Sequence, residues 1–148
     1  MTLIAGVFFT FLYRDTRALN QIEDSIDRAV AQLPPNQRVV NGLTDSDRRV
    51  NRFVHMVDRA CIGVCFSYGN YEPTTKQFRV QVARVNAINV FETWASSQVE
   101  TGSYMVKTTD LPLFQIYSDG NQIRPRPLEA GHLSGVGLIR LGDEESGQ

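Results

Sequence analysis

Cysteine is scarce in this chain, with 2 among 148 residues, which excludes a disulfide-rich mini-protein and a four-thiolate zinc site. Charge of one sign is lacking too: 15 Lys and Arg stand against 16 Asp and Glu. A pI near 6.1 removes the electrostatic case for a nucleic-acid partner, which needs a basic surface. No apolar run reaches the roughly 18 residues that mark a membrane-spanning helix. The 11 glycines and 6 prolines are ordinary, so the chain as a whole is neither collagenous, coiled-coil nor disordered. No internal repeat is found. What is there is one domain's length of sequence, 42% hydrophobic, enough to bury a core.

The opening segment stands apart. Met1 to Tyr13 is mostly apolar and meets no charge until Arg14. As a helix it rises only about 20 Å, short of a hydrocarbon layer of about 30 Å. It lacks the basic start and small-residue cleavage site of a signal peptide. Three readings are open: the end of a membrane span whose upstream part lies outside this numbering, a short monotopic anchor, or a buried first β-strand. The polar helix that follows without a turn signal favours the first.

From Asp15 to Leu33 the apolar positions Leu19, Ile22, Ile26, Ala29, Val30 and Leu33 form the stripe of an amphipathic helix. Pro34 and Pro35 end it. Arg38 to Leu43 reads as a short strand. Thr44, Asp45 and Ser46 are N-cap residues for a second helix from about Asp47 to Ile62. Its stripe is Val50, Phe53, Val54, Val57 and Cys61, and Gly63 is its stop. Beyond Val64 the pattern turns to strands: Phe78 to Val85, Ala87 to Phe91, Ser103 to Lys107, Leu113 to Tyr117 and Gln122 to Arg126. Ser118-Asp-Gly-Asn121 is a turn between the last two, and Asp110 to Pro112 a turn feeding the strand at Leu113. The expectation is an α/β (or α+β) domain over residues 14–142, with two N-terminal helices packed on a mixed sheet of about five strands. Asp143 to Gln148 is expected to be a disordered polar tail.

Chemistry-bearing residues are thin. The densest group is His55-x-x-Asp58-x-x-Cys61-x-x-x-Cys65. On a helix at about 100° per residue, His55 points some 120° from Cys61, so the group does not converge on a metal and no metal site is expected. Cys61 and Cys65 read better as a local disulfide across the helix end, within reach only if Gly63 turns the chain; two reduced core cysteines are the alternative. His55 and Asp58, three apart, pair either as a general base held by a carboxylate or as a solvated surface pair. No nucleophile elbow surrounds any serine. Gly131-His-Leu-Ser-Gly135-Val-Gly137 echoes a phosphate loop but follows no clear βα unit and lacks the lysine, so no cofactor is expected. Phe66, Tyr68, Asn70 and Tyr71, with Trp94 elsewhere, offer aromatic faces with polar tips for a glycan or peptide, or simply cap a loop.

Two stretches carry a resemblance. Tyr13-Arg-Asp-Thr-Arg17 followed by Gln32-Leu-Pro-Pro-Asn-Gln-Arg-Val-Val40 resembles the exit from a last membrane helix into the extracytoplasmic C-terminal domain of polytopic bacterial membrane proteins. His55-Met-Val-Asp-Arg-Ala-Cys-Ile-Gly-Val-Cys-Phe-Ser-Tyr-Gly-Asn-Tyr-Glu-Pro73 is similar to a stretch of uncharacterised proteins of that kind, some of them similar to multi-span glycosyltransferases that use lipid-phosphate sugars. The resemblance implies a non-catalytic domain on the periplasmic side of a bacterial membrane. That domain would serve acceptor recognition or assembly, with the membrane and a protein or glycan as partners. The catalytic carboxylates of such transferases lie between early membrane helices, so none is carried over. The rival readings are a free-standing partner-binding module with residues 1–13 as a core strand, and a small hydrolase or redox enzyme using His55, Asp58 and the cysteines.

Overall fold

The computed structural model describes residues 2–45, 53, 55–67, 71–72, 77–78, 97–99, 101–120 and 122–139. Its first element, α1 (Thr2–Val30), is a single helix of 29 residues, about 43 Å long at 1.5 Å per residue. The opening segment is therefore helical, and its reading as a buried core strand is corrected. The physical reason is cooperativity: the amphipathic half beyond Leu19 is anchored by packing, and each further turn adds a hydrogen bond without a new nucleus. No helix among the described residues is long and apolar enough to cross a membrane.

The helix ends where expected. Gln32 and Leu33 donate to the carbonyls of Ala29 and Val30, tightening the last turn ahead of Pro34 and Pro35. Asn36 then takes a left-handed φ of 62°, which a short polar side chain tolerates, and its N–H reaches the Val64 carbonyl at 2.9 Å.

The chain returns as β1 (Arg38–Asn41), the centre of a four-stranded sheet. Its companions are β3 (Phe66–Ser67), β6 (Leu113–Ser118) and β7 (Ile123–Pro127), in the order β3-β1-β6-β7. β1 pairs parallel with β3 and β6, whereas β6 and β7 form an antiparallel hairpin closed at Asp119 and Gly120. Gly120 has φ 93°, and Asp119 accepts the Gln122 N–H at 3.0 Å, so the turn expected there forms. Pro125 and Pro127 are tolerated because β7 is an edge strand among the described residues. The expected strand from Arg38 to Leu43 is broken at Gly42. Beyond it β2 (Leu43–Asp45) leaves the sheet and pairs parallel with β8 (Gly137–Ile139). The break needs glycine: a Cβ on Gly42 would lie 2.4 Å from the Gln115 side chain.

The two faces of the sheet carry different layers. Ile26, Ala29, Val30 and Leu33 of the helical stripe pack with Val39, Leu43, Ile116 and Ile139, together with Phe53, Val57 and Cys61. Leu19 and Ile22 pack at the edge of that cluster. Val40, on the opposite face, joins Val99, Tyr104, Val106, Leu113 and Leu128. The domain is thus a mixed α/β fold with a helix on one face.

Two more expectations are revised. The second helix is seen as α2 (Met56–Ala60), with 46–52 and 54 outside the described residues. Ser103 to Lys107 is not a strand; only Met105 forms a single antiparallel bridge, to Leu133. The segment runs extended over the sheet and buries Tyr104 and Val106, so its alternation reflects layering rather than a ladder. A short hairpin of β4 (Tyr71–Glu72) and β5 (Gln77–Phe78) covers the start of the strand expected from Phe78; residues 79–85, 87–91 and 143–148 lie outside the described residues.

Candidate functional site

The residues singled out in the sequence fall into two groups around α2 and β3. Asp58 sits on the inner side of α2, and its side chain is 8% exposed, whereas His55, immediately before the helix, is 53% exposed. His55 Nδ1 lies 3.3 Å from Asp58 Oδ2. The other carboxylate oxygen accepts the hydroxyl of Ser67, from the end of β3. A buried carboxylate thus holds an exposed imidazole and an edge-strand hydroxyl together. Among the described residues Ser67 bonds the carboxylate. A nucleophilic triad needs the reverse order, with the hydroxyl on the ring nitrogen that takes its proton. The arrangement therefore joins α2 to β3 rather than activating Ser67.

The cysteines tie the same elements. Cys61 and Cys65 form a disulfide with a Cα–Cα separation of 4.6 Å. Gly63, at φ 77°, turns the chain between them as the four-residue separation requires. Cys61 donates its N–H to Val57 at the end of α2, and Cys65 donates to Cys61 O, both at 3.0 Å. Phe66 follows at once, its N–H bonded to Gln37 O at 2.8 Å. Arg59 pairs across to Glu23 on α1. Among the described residues no group of three His, Cys, Asp or Glu is placed to hold a metal ion.

Of the aromatic loop, Phe66 is half-buried beside β1 and the backbone of Tyr71 pairs with Phe78. Tyr68, Asn70 and Trp94 lie outside the described residues.

A second polar cluster was not anticipated. On the far face of the sheet Gln115 is fully buried and directly opposite Arg126. Its Nε2 donates to Gly135 O, and Arg126 Nε donates to its Oε1, each at 2.8 Å. Tyr104, also buried, donates its hydroxyl to Asp110 Oδ2 at 2.7 Å, an oxygen that also accepts the Lys107 N–H at 2.8 Å. The sequence signal for the Gln115 pair was the period-2 placement of both residues on one sheet face, legible only once the hairpin register is known.

The exposed half of α1 completes the description. Ile4, Val7, Phe8, Phe9, Phe11, Leu12 and Tyr13 are each at least 50% exposed, on every side of the helix. Thr10 turns its hydroxyl inward, donating to Gly6 O at 2.8 Å. No family model, curated protein or solved structure matches this chain.

Proposed function

We propose that this chain is a non-catalytic, membrane-attached domain on the extracytoplasmic side of a bacterial membrane, held there by the outer half of α1. The carrying observation is that half's apolar surface. A helix apolar all round belongs in an apolar medium, and ten residues of helix reach about 15 Å into it, half the hydrocarbon layer. Thr10 fits the same medium, because its hydroxyl is satisfied within the helix. The disulfide supports an oxidising compartment. That the membrane protein is glycosyltransferase-like, and that this domain serves acceptor recognition or assembly, rests on the resemblance of the segment from His55 to Pro73.

The test is flotation of the full chain with neutral phosphatidylcholine vesicles, beside a Phe8→Glu/Phe11→Glu variant. The full chain is expected to float and the variant to remain in the load fraction at unchanged thermal midpoint. A full chain that stays down, and that elutes as a larger species than the variant, overturns membrane attachment and points to protein covering the helix. Equal behaviour of the two in both assays overturns the proposal.

A further inference from the structure

Where the apolar half of α1 ends, three exposed side chains stand together. Tyr13 is 69% exposed, and Arg14 and Arg17, the first two basic residues of the chain, are exposed as well. Arg17 follows Arg14 by three positions and Tyr13 by four, so it is the helix-surface neighbour of both, at about 5–6 Å between Cβ atoms. Their face turns away from the body of the domain. At about 100° per residue, Arg17 lies some 160° around the helix from Leu19, which packs at the edge of the core.

The charge on that face is positive. Asp15 occupies a position some 160° around the helix from Arg17, on the side of Leu19. No further acidic residue follows until Glu23, and Glu23 is turned to Arg59 of α2.

Depth supplies a second observation. With Ile4 to Tyr13 in the hydrocarbon, Arg14 lies about 1.5 Å and Arg17 about 6 Å beyond its edge along the helix axis. A headgroup layer is about 5–8 Å deep on each side of the bilayer. Both backbone positions therefore fall within it, and the long arginine stems let the guanidinium groups reach the phosphates. Each guanidinium presents a fork that meets phosphate oxygens two at a time. Tyr13 falls at the boundary itself, the level that suits a ring with an apolar body and a polar tip.

We infer that Arg14 and Arg17, with Tyr13 beside them, form a collar that recognises the headgroups of anionic phospholipids. The inference rests on the membrane attachment proposed above and names the lipid that the attached helix prefers.

The test is flotation of the full chain with two kinds of vesicle, phosphatidylcholine alone and an equal mixture of phosphatidylcholine and phosphatidylglycerol. A basic residue near an anionic surface strengthens partitioning about fivefold, so two give about thirtyfold. Asp15 in the same layer offsets part of this, and the wild type is expected to prefer the mixed vesicles by about tenfold. Arg14→Gln/Arg17→Gln is expected to lose the preference while still binding phosphatidylcholine, at an unchanged thermal midpoint. Sodium chloride at about 1 M, where the Debye length falls to about 3 Å, should erase the wild-type preference and leave binding to phosphatidylcholine in place. That arm needs no variant, so a variant that fails to fold leaves the test intact. Equal wild-type binding to the two vesicles overturns the collar while membrane attachment stands. So does a preference that survives either the salt or the substitution. Wild type that binds neither vesicle overturns the attachment and the collar with it.

Discussion

The inner half of α1, from Leu19 to Val30, and its outer half, from Ile4 to Tyr13, share one backbone but not one environment. Inner positions follow a stripe: Ile26 and Ala29 are fully buried, while Asp24, Asp27 and Arg28 do not join the core. Outer positions follow none, and every apolar side chain described there faces outward. The helix thus separates two sources of order. Its inner turns are held by contacts with the sheet and α2. Its outer turns are held only by continuity with the inner ones, unless something apolar surrounds them.

Ile26→Ala should have the largest effect on that contrast, a loss of about 2–5 kcal/mol in urea unfolding, as a side chain removed from a closed core leaves a cavity. Opening the disulfide at the end of α2, the helix that packs against this half, comes next. Cys61→Ser with Cys65→Ser is expected to cost about 2 kcal/mol, the loop-entropy value for so short a loop. Chemical denaturation with and without reductant reads it, and a mass increase of two hydrogens on reduction of the wild type checks the bond itself. The Glu23–Arg59 pair spans the two helices but Arg59 is 64% exposed, so Arg59→Ala should cost less than about 1 kcal/mol. Phe8→Ser with Phe9→Ser should have the smallest effect on stability, within about 0.5 kcal/mol in buffer, while removing vesicle binding. A large destabilisation from that last pair would break the comparison, because it would place the outer half within the folded core.

The inner half was legible in the sequence because a helix repeats its face every 3.6 residues, and Leu19, Ile22, Ile26, Ala29, Val30 and Leu33 keep that spacing. The disulfide was legible because Gly63 supplies the one conformation that brings Cys61 and Cys65 together. The break at Gly42 was not. The Asn41-Gly42 pair carries a local turn signal, the Asn41 side chain accepting the Leu43 N–H at 3.0 Å, but the partner that draws the chain out of the first sheet is the distant Gly137, whose N–H bonds Gly42 O at 2.6 Å. Ser103 to Lys107 misled for a related reason: alternation marks an extended chain with one buried side, and a neighbour must still be present for a strand. At the candidate site, the spacing of His55 and Asp58 foretold their contact. Ser67 arrives through the pairing of β3 with β1, which no spacing encodes, and Arg126 finds Gln115 through a hairpin register.

The partnership of β1 with β6 sets the timing of assembly during synthesis. Arg38 aligns with Leu113, and 113 minus 38 is 75 residues of chain still to be made when β1 emerges. At about 5–20 residues per second, Ile26, Val30 and Val39 wait roughly 4 to 15 seconds for the strand that covers them. Leu43 waits longer still, for Gly137 near the far end of the chain. A nascent chain with such a delay carries apolar surface exposed before its covering strand is made.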